Sequence, residues 1–60
     1  MMLAGERVKQ ARLAAGLSLR ALGESAHLSA TAISKYETGK MRPAPSALAR
    51  IADALGLQME

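Results

Sequence analysis

Cysteine, phenylalanine and tryptophan are missing from this 60-residue chain, and a single tyrosine, Tyr36, is its whole aromatic complement. Without cysteine there is neither a disulfide framework nor a thiolate metal site, which fits a reducing compartment. The shortage of aromatics removes the platform on which single-strand and RNA readers stack bases. No apolar run approaches the roughly 18 residues of a membrane span, and the opening MMLAGERVKQ lacks the parts of a signal peptide. The chain is expected to be soluble and cytoplasmic, with no membrane partner. Its one histidine, His27, falls in a turn, and Glu6, Glu24, Glu37, Asp53 and Glu60 form no local carboxylate pair. No glycine-rich phosphate loop is present either, so neither an enzyme nor a metal or other cofactor is expected.

What is present is a basic balance and a helical pattern. Eight Lys and Arg against five Asp and Glu give a net charge of +3, which suits a polyanionic partner without singling one out. Ala4, Val8, Ala11 and Ala15 recur at helical spacing among polar residues, and Gly16 stops that helix. Ser18 can cap a second helix carrying Leu22 and Ala26, and His27 and Leu28 make a tight turn. Ser29 can cap a third helix that buries Ile33 and Tyr36 before Gly39 ends it. After the basic loop KMRPAP, Pro45 suits the first turn of a last helix, with Leu48, Ile51, Ala52 and Leu55 on one face and Gly56 as its stop. No segment alternates with period two. The expectation is one all-α domain over residues 1–60, with helices at about 4–15, 18–26, 29–38 and 45–55. Such a small domain buries only about 60% of its unfolded surface, so its stability is expected to be modest.

Residues 18–39 place two short helices either side of a tight turn, the arrangement that carries a second helix into the DNA major groove. In that helix Ser29, Ala30, Thr31 and Ser34 lie off the face of Ile33 and Tyr36 and are the candidates for base contacts. Lys35 faces outward with them. These side chains are short: Ser and Thr can bond several base edges, and a methyl can touch thymine, but the bidentate Arg–guanine and Gln–adenine pairs are missing. Lys35, Lys40 and Arg42 are the candidates for phosphate contacts, with Ser18 adding the start of a helix.

The pieces GERVKQARLAAGLS, ISKYETG, Pro43 and LARIADALGL, in this order, resemble the DNA-binding domain of the Cro and C1 phage-repressor family, also called the xenobiotic-response-element family. The resemblance spans nearly all of residues 4–57 and implies a four-helix, lambda-repressor-like fold. It also implies a structural ion pair between Arg12 on the first helix and Glu37 near the end of the third. Four positions depart from the family's habit. Leu19 stands where many members carry a glutamine, and His27 stands where the turn often has glycine and must tolerate positive φ. Gly23 replaces a favoured alanine at a helix crossing, at a cost of about 1 kcal/mol in helix propensity. Tyr36 occupies a core position that is usually aliphatic.

The resemblance implies sequence-specific double-stranded DNA binding by a transcriptional regulator, most often a repressor or an antitoxin that regulates itself. A protein-interaction module that has lost DNA binding on the same scaffold is the alternative. Many relatives add a fifth, dimerising helix, which would begin near Gln58, Met59 and Glu60. The chain is therefore expected to be the N-terminal module of a longer regulator, forming a homodimer through a region weak or absent here.

Overall fold

Two of the helices start, and all four end, on hydrogen bonds that the local sequence supplies. The structure, a computed structural model, describes residues 4–56. The expected start of a fifth helix at Gln58 therefore lies outside the described residues. Four helices follow one another: α1, Ala4–Ala14; α2, Leu19–Ala26; α3, Ala30–Glu37; and α4, Pro45–Leu55.

α2 and α3 begin in the same way. The Ser18 Oγ accepts from the Ala21 N–H and the Ser29 Oγ from the Ala32 N–H, each at 3.0 Å. Each serine thus satisfies one of the four N–H groups that a helix start leaves open. α4 has no side-chain cap; Pro45 sits at its first position, where its missing N–H costs nothing. Left-handed residues close the other ends. At Gly16, φ 72°, the Leu17 N–H reaches the Arg12 carbonyl at 3.0 Å. At Gly39, φ 77°, the Lys40 N–H reaches the Lys35 carbonyl at 2.9 Å. His27 does the same work without being glycine: at φ 58° it lets the Leu28 N–H bond the Gly23 carbonyl at 2.8 Å. The helices fall within a residue or so of expectation because Ser18, Ser29 and Thr38 are caps, and Ala15 has already entered the turn.

Leu22, Ile33 and Ile51 are the largest fully buried side chains, and Val8, Ala26, Ala47 and Ala52 complete the core. α2 packs on α3 and α4, while α1 closes the open side of α3. Three expectations about the core need correction. Ala15 is exposed, because the helix ends before it. On α4 it is Ala47 that is buried, and Leu48 and Leu55 are only half-buried at the margin, so the inward face is rotated toward the smaller residue. Tyr36 is not a core residue but a half-buried one packed on the rim. That position leaves its hydroxyl free to avoid burial, and no buried side-chain polar atom among the described residues lacks a partner.

Two glycines mark where helices approach more closely than any side chain allows. A Cβ on Gly23 would lie 2.5 Å from the Leu28 carbonyl oxygen and 3.3 Å from the Ala30 nitrogen. The alanine favoured at this crossing therefore does not fit this backbone unless the turn moves. A Cβ on Gly5 would collide with the Tyr36 carbonyl oxygen and come within 2.9 Å of that of Glu37. Gly5 thus lets α1 lie against the end of α3, a role that nothing in the sequence pattern signalled.

Gly23→Ala sets a gain of about 1 kcal/mol in helix propensity against an overpacking cost of about 1–3 kcal/mol. The expected outcome in urea denaturation is a net loss of stability; a variant as stable as the parent would show that the crossing can relax. His27→Gly relieves the left-handed strain and is expected to stabilise by about 0.5–1 kcal/mol, after the extra freedom of glycine in the unfolded chain.

Candidate nucleic-acid interface

α3 turns Ile33 inward, so its other faces are fixed by helical periodicity. Along them runs a shallow groove lined by Leu19 from α2, by Ala30, Thr31, Ser34, Lys35 and Thr38, and by Lys40 just beyond. Thr31, Lys35 and Lys40 are exposed; Ala30 and Ser34 are half-buried. Neither lysine is ion-paired among the described residues. The groove therefore carries two uncompensated cations beside short, mostly uncharged side chains.

Ser29 is exposed at the head of α3; its oxygen accepts from the Ala32 N–H, which leaves its hydroxyl proton and one lone pair for a ligand. Ser18 is engaged in the same way at the head of α2. The Thr38 hydroxyl donates back to the Ser34 carbonyl at 3.1 Å, so its proton is committed to the helix backbone. The structure brings Ala30, Thr31, Ser34, Lys35 and Lys40 together, and adds Leu19 and Thr38 to them. It does not bring Arg42 with them: that residue lines a separate recess with Gly5, Tyr36, Gly39, Met41, Pro43 and Leu48.

Behind the groove, Arg12 and Glu37 meet as a bidentate pair. The Arg12 Nε donates to Glu37 Oε2 at 2.7 Å and Nη2 donates to Oε1 at 3.1 Å, with the two side chains 10% and 5% exposed. A third guanidinium nitrogen, Nη1, donates to the Leu17 carbonyl at 2.9 Å. One side chain of α1 thereby holds both the last turn of α3 and the residue before the α2 cap. Hydrogen bonding to Glu37, aided by its charge and opposed by burial, raises the Arg12 pKa above arginine's ordinary value. A raised pKa contributes stability that is complete below the unfolded value and lost only as pH climbs through the folded one. Both lie far above neutrality, so Arg12 adds no pH dependence to stability in the neutral range.

Sequence reasoning missed Arg50. From α4 its Nε donates to the Ala26 carbonyl at 2.9 Å, capping the end of α2 beside the turn. The only local hint was a lone basic residue on an apolar helix, and its partner lies 24 positions away. Among the described residues there is no cluster of His, Asp or Glu able to hold a metal ion, and no helix is long and apolar enough to cross a membrane.

A family of helix-turn-helix domains matches residues 3–60 of the chain. Among solved structures, the P22 c2 repressor protein, crystallised in complex with a synthetic operator, is similar with a TM-score of 0.92 and 29% identity. That likeness covers 97% of this chain and 88% of the other. No curated protein sequence matches the chain.

Breaking a buried ion pair by removing one partner costs about 3–5 kcal/mol, whereas replacing both by apolar groups of similar volume is often neutral or better. Arg12→Met and Glu37→Leu are each expected to unfold most of this small domain, and the double variant to recover much of the loss in denaturant titrations. The control is Arg20→Ala, which breaks a pair with Glu24 whose side chains are 87% and 71% exposed. It should cost under about 1 kcal/mol. Equal, small effects at Arg12 and Arg20 would contradict a load shared between α1 and α3.

Proposed function

Because the chain belongs to the helix-turn-helix domain family, in its four-helix Cro and C1 repressor form, we propose that it is a transcriptional regulator binding double-stranded DNA sequence-specifically. α3 is the recognition helix and enters the major groove. The observation that carries this reading is the groove along α3, with Lys35 and Lys40 at its side, neither ion-paired among the described residues, and Ile33 of the same helix turned into the core. The operator complex of the P22 c2 repressor, so similar in fold, supports the same reading.

Ser29, Ala30, Thr31 and Ser34 are the base-contacting residues of this proposal. With its side chains an α-helix is about 10–12 Å across, which the major groove, about 12 Å wide, admits. With no arginine or glutamine on this surface to make a bidentate base pairing, most of the affinity comes from phosphates. Lys35 and Lys40 supply those contacts beside the helix, with Ser18 and the remaining first-turn N–H groups of α2 adding to them. Arg42 reaches the backbone from its own recess and contributes less. One such module engages one half-site, so regulation proceeds through a homodimer on a two-fold operator.

Selection of duplexes from a random pool, followed by affinity measurement over a salt series, tests this. The expected result is one enriched motif and a log K that falls steeply with log salt. Lys35→Ala and Lys40→Ala each reduce the slope by about 0.9 and weaken all sequences alike. Arg42→Ala gives a smaller change. A chain that enriches no motif and binds DNA at no salt concentration, even with two copies joined by a linker, would sink the proposal in favour of a protein-interaction module.

A further inference from the structure

Leu19 begins α2 and leans on the core, yet it is only half-buried, and its free side lines the α3 groove with Ala30 and Thr31. If the groove meets duplex DNA, as proposed above, an aliphatic side chain there can bond neither a phosphate nor a polar base edge. The apolar group that B-DNA does present in its major groove is the C5-methyl of thymine. Ala30 and the Thr31 methyl offer that partner the same chemistry. Lys35 and Lys40, which line the same groove, supply the charge that holds the phosphates on either side of the exposed bases. The Thr38 hydroxyl donates to the helix backbone, and the hydroxyls of Thr31 and Ser34 are the remaining side-chain hydroxyls lining the groove.

We infer that Leu19 is a specificity-determining residue: with Ala30 and Thr31 it forms an apolar seat for thymine methyl groups. The preferred site is then chosen at these positions by methyl contact, not by paired hydrogen bonds. Each buried methyl contributes about fourfold in affinity.

The test uses the 60-residue chain and the duplex it enriches from a random pool. Each thymine is replaced in turn by uracil, which removes the methyl and leaves base pairing intact. The expected result is about fourfold weaker binding at the one or two positions facing Leu19, and no change elsewhere. Leu19→Ala should shrink that difference, while Leu19→Met, which keeps an apolar side chain on the core, should preserve it. Equal affinity for the thymine and uracil duplexes at every position overturns the inference and leaves the DNA-binding reading standing. Discrimination that survives Leu19→Ala unchanged overturns the role given to Leu19. Failure to bind any duplex overturns both this inference and the function on which it rests.

Discussion

A guanidinium can be withdrawn from water only if acceptors meet it on each side, and Arg12 satisfies that demand with three hydrogen bonds to two partners far apart in the chain. Glu37 closes the last turn of α3, and Leu17 precedes the cap of α2, so the position of both helices is referred to one atom group on α1. The core alone could not impose this. It consists of three large aliphatic side chains, a valine and three alanines, none of which has directional bonding. Apolar packing gives the domain its compactness; the ion pair ties the end of α3 to α1. That division matters for a surface built from short side chains, which can reach a partner only if the helix itself is brought close.

Close approach is the second theme. A domain without Phe or Trp has little bulk with which to fill space between helices, and the structure responds by bringing backbones together. Gly23 admits the turn against α2, and Gly5 admits the end of α3 against α1. The ion pair and the Gly5 contact both fall at Glu37, so α1 meets α3 at a point where charge and sterics agree. Paired caps at Ser18 and Ser29 then give the two helices of the motif equivalent starts.

Most of the local structure was legible from residues alone, for physical reasons. Caps and left-handed stops act within a few residues, so Ser18, Ser29, Gly16, Gly39 and Gly56 declare themselves. Even the non-glycine stop at His27 could be anticipated from the tight turn. The groove residues followed from periodicity, because placing Ile33 inward forces Thr31, Ser34 and Lys35 elsewhere. The Arg12–Glu37 contact was legible only through resemblance, since nothing within 25 positions of sequence links the two. What escaped depends on three-dimensional neighbours: the burial of Ala47 in preference to Leu48, the steric need for Gly5, the reach of Arg50, and the separation of Arg42 from Lys40. A pattern of apolar residues gives the face of a helix to within a residue, and not the rotation that decides which of two adjacent residues goes in.

The hydrogen bond from Arg50 to the Ala26 carbonyl bears on how portable the motif is. Residues 18–39 contain both helices and the turn, and look like a cassette that could be moved into another scaffold. Yet the last carbonyl of α2 is held by α4, and the start of α2 is held through Leu17 by α1. Both ends of the first motif helix are therefore anchored outside the motif. Transplanted alone, the segment would keep its caps and its turn but lose the two clamps that orient α2, and grafts of this recognition surface must carry positions 12 and 50 with it.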